Sequence, residues 1–246
     1  MDASVDSPGG FNLLAISLSL LLFASLVSYA WLDPDGFTRQ LAKDGAPEGS
    51  GWIEHLTIIV LIPGILFGLY AFWAYRDRLP CPILGYWVLA WSLACIYFAG
   101  EEASWGQWYF HWNTPDSLIK LNDQGEVNLH NMSSWLDQKP RTLVELFIFV
   151  AGFLVPLWRV LSNKKPTIRF GFLSDWKGWI YAPAALLPAG LLFLAIRIAD
   201  WLPQPAFKNL GNSELREFVI AWFLMWYLIS YAMRLKCIPV TWEANQ

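Results

Sequence analysis

The stretch PILGYWVLAWSLACIYFAG, residues 82–100, is apolar from end to end and closes on two adjacent acids, Glu101 and Glu102. As a helix rising 1.5 Å per residue, it extends about 28 Å, close to the roughly 30 Å of a bilayer's hydrocarbon core. The run Trp105-Gly106-Gln107-Trp108-Tyr109-Phe110-His111-Trp112 follows at once, with the tryptophans and tyrosine that belong at headgroup level. Carboxylates at the edge of such a span are costly, and they persist where they have partners or a task.

Working outward, five more apolar stretches of similar length appear, at 11–31, 52–75, 143–161, 178–198 and 215–234. The hydrophobic share of 56% and the charged share of 15% exclude an ordinary soluble domain, in which about a quarter of residues are charged. The chain therefore reads as one all-α transmembrane domain, residues 1–246, with six spans. Pro63, Pro156, Pro183 and Pro188 fall inside spans, where neighbouring helices can satisfy the carbonyls they free. Gly64 and Gly68 read as a helix-packing face.

Six spans put both termini on one side. The short loops on that side carry Arg76, Arg78, Arg159, Lys164, Lys165, Arg169 and Lys177, which predicts a cytoplasmic face. The opposite side holds fifteen of the twenty acids and all three histidines, His55, His111 and His130. A bacterial inner membrane with loop 101–141 facing the periplasm or exterior is the expected setting. Ser28-Tyr29-Ala30 offers small residues of the kind signal peptidase accepts, but the segment before the first span lacks Lys and Arg, so an uncleaved anchor is expected. Cys81, Cys95 and Cys237 have no paired spacing and suggest neither a disulfide nor a thiolate metal site. A net charge of −3 without a basic, aromatic-laced run excludes a nucleic-acid partner, and membrane lipids or a membrane-protein partner are expected instead.

The long loop predicts a hat of two short helices over the bundle mouth. Thr114-Pro115-Asp116 starts one that runs to about Leu121, and a second runs from Glu126 to about Leu136, ahead of Lys139-Pro140. Candidate functional residues cluster here. Burial and mutual repulsion oppose charging both Glu101 and Glu102, which suits a general acid or base near neutral pH. Glu126 and His130 share a helix face at i and i+4, spacing that suits a shared metal or a carboxylate orienting an imidazole. Asn128 and Asn131 add polar groups beside them. If the third span continues outward, Ser104, Gln107 and His111 line one face. Glu54 begins the second span and is a further candidate metal ligand. Glu145 and Arg141, four residues apart, are expected to pair. The catalytic candidates are thus Glu101, Glu102 and His130, and the ligand candidates for a divalent metal ion are Glu54, Glu102, Glu126 and His130.

Gly100-Glu101-Glu102-Ala103-Ser104-Trp105-Gly106-Gln107, then Thr114-Pro115, then Gln124-Gly125-Glu126-Val127-Asn128-Leu129-His130-Asn131, resembles a family of uncharacterised bacterial multi-pass inner-membrane proteins with EE-x-SWGQ and Q-x-E-x-NLHN motifs. The likeness covers about residues 50–135 and implies a membrane fold. Glu101-Glu102 also resembles the paired glutamates of CAAX-processing intramembrane proteases. Here Gly106 stands where that pattern has arginine, no histidine follows a phenylalanine by four, and Ser134 stands where asparagine would follow His130.

Three functions stay open on the sequence. One is a metal- or Glu/His-dependent hydrolase or transferase acting on a lipid-like substrate. Another is a non-enzymatic subunit or a lipid-, quinone- or partner-binding protein whose polar cluster is structural. The third is a small transporter, disfavoured because the acids gather at one membrane edge rather than at the midplane.

Overall fold

A computed structural model describes residues 3–4, 7–41, 52–79, 81–119, 127, 134–162, 167–168, 176–202 and 210–237. Among these the fold is all-α, apart from one two-residue antiparallel pair between β1 (Ala3–Ser4) and β2 (Thr167–Ile168). Among the described residues, six helical stretches are long and apolar enough to cross a membrane: Gly9–Leu32, Trp52–Arg78, Pro82–Glu102, Lys139–Leu161, Gly178–Ala199 and Ser213–Lys236. Each lies within four residues, at either end, of a stretch expected from hydropathy.

The helices are α1 (Gly9–Leu32), α2 (Pro34–Leu41), α3 (Trp52–Tyr75), α4 (Pro82–Glu102), α5 (Gln107–Phe110), α6 (Asp116–Ile119), α7 (Ser134–Phe147), α8 (Val155–Leu161), α9 (Trp176–Ile180), α10 (Leu187–Ala199) and α11 (Ser213–Lys236). A π-helical segment, Ile148–Leu154, joins α7 to α8, so the fourth span is one continuous rod.

α11 is the hub. It is buried along almost its whole length, while the other spans turn large apolar side chains outward. It packs most closely on α3, and α3 in turn packs on α4. α10 and the π segment lie on its other side, with α1 against α10. Glycine permits the closest approach, as Gly64 and Gly68 predict. A Cβ on Gly64 would come 2.8 Å from Met225 Cα of α11, and one on Gly68 would overlap Ser92 Oγ of α4.

The fifth span is not one helix. α9 ends at Ile180, residues 181–183 are not helical, and α10 begins after the turn Ala184–Leu186. Pro183 and Pro188 each remove an N–H donor, so the chain breaks here rather than bending through. In lipid, every freed backbone group needs a partner. Arg234 Nη1 and Nη2 donate to Gly178 O and Trp179 O at 3.1 and 3.4 Å, and Tyr227 Oη donates to Ile180 O at 2.8 Å. On the far side of the break, Ala182 N donates to Ala151 O at 3.0 Å. That acceptor is free for a local reason. In the π register Ala151 O would wait for the N–H of residue 156, and residue 156 is proline.

Two expectations for the 101–147 region change. The third span does not continue through Ser104, Gln107 and His111. α4 stops at Glu102, and Ser104, Trp105, Gly106 and His111 adopt positive φ of 42°, 52°, 95° and 54°. α6 starts after Pro115 as expected, with Ile119 N bonded to Pro115 O at 3.1 Å, and the remainder of the first hat helix, from residue 120 on, lies outside the described residues. Pro140 does not end a helix. α7 starts at Ser134 and runs through it into the fourth span, because a single lost hydrogen bond is outweighed by the apolar run that follows.

Candidate functional site

Three helices bring acids to one end of the bundle. Asn212 caps α11, its Oδ1 accepting Leu215 N at 2.7 Å. The cap sets Glu214 and Glu217 at i and i+3 on one face of the first turns, where the helix dipole favours negative charge. Glu102, in the last turn of α4, faces them. One carboxylate oxygen from each of Glu102, Glu214 and Glu217 lies within 4.8 Å of the other two. Glu102 and Glu217 are within hydrogen-bonding reach, and Glu54, buried in the first turn of α3, is near enough to act on Glu102 electrostatically.

Three full charges this close would repel by about 3–4 kcal/mol per pair at an effective dielectric constant of about 20. Protons or cations must offset that. Arg141 of α7 supplies one cation, its Nη1 lying 2.6 Å from Glu217 Oε1 with both side chains about four-fifths buried. The trio also fits a divalent ion. Oxygens that ligate one centre at about 2.3–2.6 Å are at most about 5 Å apart, so the trio is close enough to share one divalent ion.

The expected pairing of Arg141 with Glu145 is corrected. Glu145 instead meets Arg197 and Arg216, each at 3.4 Å, and both of those arginines also reach Asp200. The fourth, fifth and sixth spans are thus tied together by a separate ionic knot. An i, i+4 spacing on an isolated helix does not win against partners presented by neighbouring helices.

Glu101 and Glu102 part company. Consecutive helical side chains diverge by about 100°, so only Glu102 joins the trio. Glu101 is buried and accepts a hydrogen bond from Trp105 Nε1 at 2.6 Å, with the Tyr97 hydroxyl within reach. The indole lies over Gly100, where a Cβ would come 2.9 Å from the ring, and the left-handed turn at residues 104–106 is what folds it back there.

A cavity of about 150 Å³ opens beside the acids, between α4, α7 and α11. Glu101, Glu102, Arg141 and Glu217 line its outer end. Trp91, Ala94, Phe98, Val144, Ile220 and Leu224 carry it inward as an apolar channel.

The remaining predicted residues separate into two groups. Ser104 is buried in the turn after α4. Gln107 is spent on structure, its Nε2 donating to Thr114 Oγ1 and its Oε1 accepting Val127 N, both at 2.8 Å. His55 Nδ1 lies 2.9 Å from Tyr109 Oη, and burial together with the charge of Glu54 holds the Tyr109 phenol above its ordinary range. His111 is exposed. Glu126, Asn128, His130 and Asn131 lie outside the described residues.

Sequence reasoning passed over Glu214, Glu217 and the role of Arg141. A signal was present, since Asn212-Ser213-Glu214-Leu215-Arg216-Glu217 is a capped helix start with two acids on one face, at the membrane edge that holds Glu101-Glu102. No family model, curated protein or solved structure matches this chain.

Proposed function

We propose that this protein is a membrane-embedded hydrolase or transferase acting on a lipid-like substrate at the membrane edge. The observation that carries the reading is the trio Glu102, Glu214 and Glu217 standing at the polar end of a cavity whose inner walls are apolar. Glu102, buried and shared between like charges, is suited to take and return a proton. Arg141 holds Glu217 and offers a guanidinium where negative charge would develop on a polarised ester or phosphoryl oxygen. A divalent ion in the trio would supply a Lewis acid and a more acidic bound water. The basic loops around Arg76 and Arg159 favour placing the acidic end on the outer face of a bacterial inner membrane, with both termini inside.

The test has two parts. Elemental analysis of detergent-purified protein should give a near-stoichiometric divalent metal that falls away in a Glu214→Gln/Glu217→Gln variant of unchanged helicity. Vesicles of total polar lipid containing the protein should accumulate new lipid species by mass spectrometry, and Glu102→Gln should stop this. Unchanged lipids under every divalent metal would sink the enzyme and leave the second reading, a lipid- or quinone-binding subunit, which the aromatic wall at Trp91 and Phe98 favours.

A further inference from the structure

The cavity is graded along the helix axis. From Glu102 to Trp91 it runs eleven residues down α4, about 16 Å, changing from carboxylates to aromatic and aliphatic side chains. It also opens sideways. Ala94 and Tyr97 on its rim are exposed along the span, not at its end, and α4 and α7 meet only deeper, where Phe147 lies against Trp91 and Trp87 at ring-centroid distances of 4.5 and 5.8 Å. A ligand could therefore enter from the bilayer between the third and fourth spans without leaving the hydrocarbon. At about 150 Å³ the space is of the size that holds a benzene ring, so it has no room for two hydrocarbon chains side by side and can seat only part of one.

The polar end specifies a charge. Three carboxylates and one guanidinium line it, and that guanidinium is engaged with Glu217. Glu54 and Glu214 stand behind, so a divalent ion in the trio would still leave the described wall formally negative. Tyr97 and Phe98, about one turn below Glu101, add aromatic rings of the kind that attract cations.

We infer that the groove between α4 and α7 binds a single-chain amphiphile with a cationic amine head, tail toward Trp91 and Leu224 and head at Glu101 and Glu217. The inference rests on the proposed function in taking this amphiphile as the substrate class, but binding can be read without turnover.

Dodecylamine and dodecanoic acid, each carrying a diazirine at the tail end, would be photo-crosslinked to the whole protein in a neutral maltoside detergent and mapped by peptide mass spectrometry. Labelling by the amine should concentrate on peptides holding Trp91, Val144 and Leu224 and exceed that by the acid at least tenfold. Ala94→Trp should abolish groove labelling, and Glu101→Gln/Glu217→Gln should erase the preference for the amine. Helicity and melting temperature identify any variant that fails to fold, and in that case the comparison of heads on the unaltered protein still decides. Equal labelling by both heads, or labelling spread over the lipid-facing side of α1, would overturn the proposal. Specific amine binding without lipid turnover would remove the enzyme and keep the site. Turnover with no preference between heads would do the reverse.

Discussion

The indole N–H of Trp105 lies 2.6 Å from the carboxylate of Glu101 and holds it away from the trio that its neighbour Glu102 joins. This bond crosses a turn with three consecutive positive-φ residues, two of them non-glycine, and the contact keeps that turn in place. Trp105→Phe retains a ring over Gly100 and deletes the donor. We expect a loss of about 1–3 kcal/mol, as for a hydrogen bond to a buried charged group. Thermal unfolding in detergent measures it, and an unchanged melting temperature would show that ring packing alone sets the turn.

Arg141→Met removes the guanidinium and leaves Glu217 beside two other carboxylates. The expected cost is about 2–4 kcal/mol, tempered by the partial exposure of the pair. Glu217→Gln in the same chain should recover at least half of the loss, because the repulsion goes with the charge. The two melting curves decide, and an additive double variant would count against the pairing.

Tyr227→Phe deletes the acceptor for Trp87 Nε1 at 2.7 Å and the donor to Ile180 O at 2.8 Å. A destabilisation of about 1–3 kcal/mol is expected. Combined with Trp87→Phe, the losses should fall short of additive, by about 0.5 kcal/mol or more. Strict additivity would mean that the two groups do not communicate.

Gly64→Ala places a methyl group 2.8 Å from the α11 backbone, where no flexible side chain can give way. The helices must part, at an expected cost of about 1–3 kcal/mol. Gly178→Ala, with nothing within 4 Å of its added carbon, serves as the matched control and should cost little. Equal effects of the two changes would mean that close α3–α11 packing is not what the glycine serves.

The six spans were legible because a membrane helix announces itself by length and hydropathy, which are local properties. Glu54 and Glu102 were legible as candidates because the cost of a carboxylate in a span is local too, and both are buried near one another. What could not be read was partnership. Arg141 looks one turn along its own helix to Glu145, yet it finds Glu217 across the bundle, and Glu145 finds Arg197 and Arg216. Glu214 and Glu217 look like an ordinary capped helix start until α4 presents Glu102 to them. The turn after Glu102 was misread because nothing in Ser104-Trp105-Gly106 except the glycine signals a left-handed backbone, and it is the long-range fit of the indole that selects it.

The broken fifth span has a consequence for biogenesis. Three carbonyls at its break, of Gly178, Trp179 and Ile180, accept hydrogen bonds from Arg234 and Tyr227 of α11, and α11 is synthesised after the fifth span. Carbonyls left bare at the end of a span cost free energy, so the fifth span is expected to insert stably only once the sixth has been made. A chain ending at residue 202 should then leave the fifth span poorly inserted in a glycosylation-mapping assay. Extending the chain through residue 237 should restore it, and Tyr227→Phe/Arg234→Met should undo the restoration.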